Sequence, residues 1–447
     1  MSSGLEEQVA QWRGFVRRRA VLSADDVAEL EEHLRGQVDD LRAVGLSDDE
    51  AFLVAVSRMG SMDALSREFA AVHSERLWKQ LVLSDEDRGP AARAASRRRT
   101  WLVLALAVGA ALTFRAALWL MDTDVVWRAG AGLVLPWLAG SFCLRHRVPR
   151  GVVLTAAAGW VALLVVLLVS PFEAGGDTLV LAAAHAPVVW WLLAGAFYTG
   201  GRWRDPARRM DFVRFTGEWA VYYFLLAAGG GALIGLSLAV FGAVGVDASP
   251  VLLSWVLPCG AAGATVVAAW LVEAKQSVVE NMAPVLARVF SPLVLALLVA
   301  LLVAFALDPR VLGVDRDLLV LMTVVLVVVL GLWLYTVSAR RPEAPVGAWD
   351  RGLVALLLAA VAVDLVVLVA MAGRIAELGL TPNRAAALGL NLLLLGDLVG
   401  SAWLAIGFAR QARPFSALER WQTSSLPVLG AWAALVAVAW GPLFSWT

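Results

Sequence analysis

The chain alternates long apolar runs with short polar breaks, and its character changes near residue 100. Before that point apolar residues recur at three-and-four spacing. Leu5, Val9, Trp12, Phe15 and Val16 make one such series, and Val27, Leu30, Leu34, Val38 and Leu41 a second. This period predicts helices with one apolar face. Ser47-Asp48-Asp49-Glu50 has the form of a capping box and opens a third helix through Ala51, Leu53, Val54 and Met59. Gly60 ends that helix, and residues 62–77 predict a fourth. The short connections predict a small antiparallel helical bundle over residues 1–83. Residues 84–100 read as a basic linker, with a helix break at Gly89-Pro90 and Arg97-Arg98-Arg99 against the first long apolar run.

From residue 101 the apolar runs are long enough to cross a membrane, which takes about 20 residues. Eleven are expected, over 101–121, 126–144, 151–170, 178–198, 219–243, 251–271, 291–307, 318–338, 352–372, 384–408 and 426–443. The fold class is all-α: a small helical bundle followed by a polytopic transmembrane bundle over 101–447. Composition agrees, since 60% of the 447 residues are hydrophobic, against roughly 45–50% apolar in soluble domains. Membrane lipids are thus the expected surroundings. The formal net charge of +0 gives no reason to expect nucleic acid.

The placement of charge is more informative than its sum. The first residues are polar, with no secretory apolar run, so a cytoplasmic N-terminus is expected. The even-numbered connections carry Arg145, Arg147 and Arg150, then Arg202, Arg204, Arg208, Arg209 and Arg214. Lys275 and Arg288 follow, then Arg340, Arg341 and Arg351, and then Arg410, Arg413 and Arg420. Connections 171–177 and 244–249 have no Lys or Arg, and 308–317 has two arginines against three aspartates. Basic loops stay inside, so the expected layout in the cell (inner or plasma) membrane is N-terminus in, C-terminus out. Two inner connections, 202–218 and 274–290, are amphipathic. They predict helices in the headgroup layer or docking surfaces for the N-terminal bundle.

Tryptophans near span ends, among them Trp101, Trp127, Trp219, Trp349, Trp421 and Trp446, suit the interface. Gly229-Gly230-Gly231 and Gly235 give the fifth span a small-residue surface for close helix packing. Pro136, Pro187 and Pro258 predict kinks in the second, fourth and sixth spans.

Few ionisable groups fall inside spans: Arg115 in the first, Asp364 in the ninth and Asp397 in the tenth, with His185 in the fourth and Asn391 in the tenth as further polar groups. Each charge costs about 2.5–3.5 kcal/mol at mid-bilayer on insertion scales. Pairing Arg115 with the aspartates would remove most of that cost and make spans one, nine and ten neighbours. Such a cluster is either a structural ion pair or a proton- or cation-coupled pathway. Burial favours the protonated carboxyl and a nearby arginine the ionised one. No catalytic motif, metal-ligand spacing or phosphate-binding loop is present, so no enzyme, metal or cofactor is expected. Cys143 and Cys259 lie in separate runs and read as small hydrophobes.

Two stretches resemble known families. Glu29-Leu30-Glu31-Glu32-His33-Leu34, Gly45-Leu46-Ser47-Asp48-Asp49-Glu50-Ala51, Met59-Gly60 and Ser66-Arg67-Glu68-Phe69 occur in the order of the bacterial HAAS signalling prefix and the similar permease prefix domain. This resemblance covers residues 5–75. It implies a non-catalytic regulatory adaptor with a cytoplasmic protein partner. Between spans nine and ten, Arg374, Glu377, Gly379, Thr381 and Arg384 form a polar hairpin. Gly379 is suited to end one helix, and Thr381 with Pro382 to start the next. The hairpin resembles the R-(I/V)-x-x-(Y/F)-G-(L/W)-T-x-x-R signature of a bacterial membrane family of unknown function (domain number four-one-five-three), with Leu378 in the aromatic place. That family implies only a polytopic membrane protein. The expected function is permease-like or transport-associated, with an unknown small-molecule or ion substrate. The alternative is a membrane signalling or scaffold protein that recruits a partner through residues 1–83.

Overall fold

The computed structural model describes residues 9, 24–43, 46–48, 51, 52, 55, 90–274, 276–307, 316–340 and 344–446. It divides into two units, Met1–Arg98 and Arg99–Thr447. In the first unit α1 (Ala24–Ala43) buries Leu34, Val38 and Leu41 in a core with Val9, Ala51 and Ala55. Arg42 ties the end of α1 to Asp48 at 2.6 Å. The expected first helix apart from Val9, Glu50 of the capping box, most of the expected third helix, the fourth helix and residues 308–315 lie outside the described residues.

Among the described residues, eleven helices are long and apolar enough to span a bilayer, and they build the second unit. They are α2 (Pro90–Leu120), α3 (Thr123–Arg145), α4 (Arg150–Val169), α5 (Asp177–Tyr198) and α6 (Pro206–Ala243). After these come α7 (Leu257–Ala274), α8 (Gln276–Leu307), α9 (Arg316–Ala339), α10 (Ala348–Leu378), α11 (Pro382–Ala409) and α12 (Phe415–Leu443). One α-helical turn and a π-helical turn, Leu252–Val256, lead into α7. Pro258 stands two residues past the π turn, in the first turn of α7, where its missing N–H is best tolerated. The chain is therefore a multi-pass integral membrane protein. The eleven apolar runs each become one of these helices. Pro90 begins α2, so the basic residues before the first span are helical, where a linker was expected.

The two largest apolar cores among the described residues hold much of the unit together. One joins α3, α4 and α5 to α7 around Phe142, Trp160, Trp190 and Ala269. The other joins α8 to α12 around Leu298, Leu326, Leu357, Leu394 and Leu418. The first turns of α6 serve both, with Phe212 and Phe215 in one core and Met210 and Val213 in the other. The expectation that 202–218 lies along the headgroups is thereby corrected. Its apolar face packs inside the protein, and Arg214 donates to the Ser338 carbonyl at 2.9 and 2.6 Å.

Bulky rings seated on glycines bring helices close. Trp190 covers Gly132, Trp432 covers Gly389, and Trp421 covers Gly400. The glycines of α6 behave differently. Among the described residues, nothing from another helix lies within 4 Å of a Cβ built at Gly229, Gly230, Gly231 or Gly235. The close packing expected of that surface is not made by the described residues.

At the basic end, Glu273 of α7 binds Arg145 of α3 and lies 3.6 Å from Arg99 of α2. His146, which caps α3, packs against Tyr198 with ring centroids 5.5 Å apart. Burial, and then the charges of Arg145 and Arg208, hold its pKa below the usual value.

A Gly389→Ala substitution forces its Cβ into the Trp432 ring and costs about 1–3 kcal/mol by overpacking. Gly229→Ala meets open space and gains up to about 1 kcal/mol of helix propensity. Thermal unfolding in detergent should show shifts of opposite sign for the two variants.

Candidate functional site

The expected ion pair does not form. Arg115 stacks over Trp255 at 4.3 Å, and its Nε has no hydrogen-bond partner. The reason lies in helix order. α2 packs through Val103, Ala107 and Ala110 against Val134 of α3 and Val266 of α7, away from the aspartates. Trp137 extends this contact by donating to Thr113 Oγ1 at 3.1 Å. His185 is also apart from the carboxylates; its Nδ1 lies 2.8 Å from the carbonyl of Leu181, one turn back in α5.

The other three polar residues do share one region, the bundle of α9 to α12. Asp364 of α10 is fully buried, and neither carboxylate oxygen has a hydrogen-bond partner. Asn391 of α11 is likewise buried. Its Nδ2 donates to Thr323 Oγ1 of α9 at 2.9 Å and to the Ala387 carbonyl at 2.8 Å, and lies 3.9 Å from Met371 Sδ of α10. It pins three helices together, while its Oδ1 lacks a donor. Asp397, two turns further along α11, is 5% exposed. Its Oδ2 accepts from Ser401 Oγ at 3.5 Å, and Ser401 Oγ accepts from Gln422 Nε2 of α12 at 2.5 Å. Asp397 Oδ1 and Gln422 Oε1 have no partner.

Among the described residues neither aspartate forms an ion pair with a cation. An ionised carboxylate in an apolar interior without a cation or donors is strongly disfavoured. The arrangement can therefore hold a proton on Asp364, which has no donor, and on Asp397, which has a long hydroxyl contact. It cannot be the neutralised ion pair that would make both groups merely structural.

Ser401, Thr323 and Gln422 are members of this region that sequence reasoning missed. A signal for Gln422 exists: Phe415, Leu418 and Gln422 share one helical face, and all three are buried. The expected spans 384–408 and 426–443 left 415–425 in the connection between them, yet it forms the first three turns of α12.

The signature hairpin is a structural turn. Gly379 takes φ +77° and ends α10. The Thr381 side chain accepts from the Arg384 N–H at 3.4 Å, and Pro382 opens α11. Arg384 closes the turn by donating to the Leu378 and Gly379 carbonyls at 3.0 and 2.7 Å. Arg374 is half-buried and Glu377 exposed, both within the last turns of α10. The hairpin thus fixes α10 against α11 and sets Asp364 and Asp397 at about the same depth.

No protein-family model, no curated protein and no solved structure matches the chain.

Replacing Asp364 by Leu removes an unpartnered buried polar group. It should raise stability by about 1–3 kcal/mol. Thermal unfolding of the purified protein measures this, and a destabilised variant would show that Asp364 has a stabilising partner.

Proposed function

We propose that this is a transport-associated, permease-like membrane protein in which Asp364 and Asp397 carry protons within the bilayer. One observation carries the reading: Asp364 is completely buried with no donor and no cation beside it. Such a group costs stability at every moment the chain is folded. Retaining it is understandable if the protein uses its loading and unloading. Intramembrane carboxyls of this kind are the usual proton carriers of pumps and transporters. The N-terminal unit, through its resemblance to a permease prefix domain, is the proposed regulatory partner-binding module.

A scaffold or signalling role is the second reading. It draws on the burial of both carboxylates, since neither the cavity beside Trp333 nor the one beside Asp247 is lined by Asp364 or Asp397. Infrared difference spectroscopy after a pH jump separates the readings without knowledge of a substrate. In the reconstituted full-length protein, a carboxylic-acid band should appear and vanish reversibly. Asp364→Asn and Asp397→Asn should each remove part of it. A spectrum unchanged by both substitutions would refute proton carriage.

The membrane layout is proposed from the same arginines that mark the even-numbered connections. We place the N-terminus and Glu273 inside and the α12 C-terminal end outside. Alkaline phosphatase fused at Gly175 or Gly245 should be active, and at Arg204 or Arg410 inactive. The reverse pattern would invert the layout.

A further inference from the structure

At the basic end of α9 to α12 lies a second buried polar group, and it belongs to neither aspartate. Arg340, just after α9, donates through Nε to Asp350 Oδ1 at 2.9 Å and through Nη2 to Asp350 Oδ2 at 3.3 Å. The side chains are only 13% and 11% exposed. The guanidinium also lies over Phe408 at 4.6 Å and over Phe415 at 5.1 Å, and donates to the Ala344 carbonyl at 3.0 Å. One cation thus holds the ends of all four helices: α9, α10, α11 and α12. Beneath it is a cavity of about 20 Å³ whose lining includes Trp333, Thr336, Ala405 and Leu418. That is room for a single water. The Trp333 Nε1–H is buried without an acceptor.

The cavity is aligned with the carboxylate chain. Ser401 precedes Ala405 by four residues on α11, and Gln422 follows Leu418 by four on α12. Each step is one helical turn, about 5.4 Å. Both steps lead from the cavity wall towards Asp397. Gln422 Oε1, buried and without a donor, can accept from a water there.

We propose that Arg340 and Asp350, clamped on Phe408 and Phe415, form a gate, and that its opening admits protons from the basic face to Asp397 by way of Gln422 and Ser401. The proposal deepens the proton-carrying reading and rests on it. In the step itself a hydronium ion gives its proton to Ser401 Oγ. At the same time the Ser401 hydroxyl proton passes to Asp397 Oδ2 along the 3.5 Å contact. Water and a neutral carboxyl result, and no electrons are exchanged. Gln422 orients Ser401 and anchors the incoming water. Opening requires the guanidinium to leave Asp350 and the rings of Phe408 and Phe415, which frees the end of α9 from those of α10, α11 and α12.

Cysteine accessibility tests the gate independently of any transport. Cys143 and Cys259 are first replaced by alanine in the full chain, and Ala405→Cys or Ser401→Cys is introduced. Reconstituted protein is exposed to a membrane-impermeant methanethiosulfonate ammonium reagent from each side in turn. With the gate intact, labelling should be slow from both sides. Arg340→Gln or Asp350→Asn should speed it at least tenfold, from the basic face alone. Phe408→Ala, which leaves the ion pair in place, is the second opening variant should the others fail to fold. Unchanged rates in every folded variant, or acceleration from the opposite face, would overturn the gate. The infrared bands of Asp364 and Asp397 are read separately. Their absence together with accelerated labelling would refute proton carriage and leave a gated water vestibule. Their presence with unchanged labelling would refute only the gate.

Discussion

A lipid interior offers no hydrogen bonds, and every polar group that enters it must find a partner within the protein. Much of this structure follows from that constraint. Serine and threonine hydroxyls turn back onto carbonyls of their own helices, as at Thr323, Thr336 and Ser237. Indole N–H groups reach across to carbonyls of neighbouring helices: Trp160 to Gly132, Trp219 to Thr265, Trp421 to Asp397 and Trp440 to Pro382. The same rings supply bulk that glycines on facing helices receive. In a medium as apolar as the side chains themselves, close packing and such bonds replace the hydrophobic effect as the force that joins helices.

Against this background Asp364 stands out. Its neighbours in sequence, Val363 and Val367, are wholly buried in the apolar core of α8 to α12. No arginine compensates it, although Arg115 is the obvious candidate from the sequence. The fold instead spends Arg115 on an aromatic contact near Trp255. Among the described residues of the second unit, the two well-buried ion pairs, Arg340–Asp350 and Arg145–Glu273, lie at helix ends. Paired charges at the ends are thus separated from unpaired carboxyls in the middle, where an unpartnered group costs stability.

Much of the fold was legible because the bilayer imposes a crude and repeated rule. Each of the eleven runs advertises its length and its apolar character, and the turn between α10 and α11 announces itself through Gly379, Thr381 and Pro382. What was hidden is information about neighbours. A helix of apolar residues all round, such as α4 or α10, shows no face by periodicity, so the sequence does not say which helix it meets. The pairing of Arg115 with the aspartates failed on that point: matching depth is visible in one chain, but lateral position is not. The polar first turns of α6 and α12 fell in the connections between expected spans for a related reason. Composition averages over the faces of a helix. Phe212, Phe215 and Gln422 are buried on one side while arginines occupy the other.

The two aspartates are not equivalent, and the difference follows from their helices. Asp397 accepts from Ser401, touches α12 through that hydroxyl, and lies towards the Arg340 end of α11. Asp364 has no such chain and is enclosed by α10's own apolar neighbours. The Gly379 hairpin nevertheless holds both at about the same distance from the turn. On the proposed route a proton from the basic face would reach Asp397 first, and Asp364 would be loaded only by exchange with the interior, after side chains of α10 and α11 shift relative to one another. Arg384 ties the hairpin shut at its carbonyls, so such a shift must come from the other end of the helix pair. That end is where Arg340 binds Asp350 and rests on Phe408.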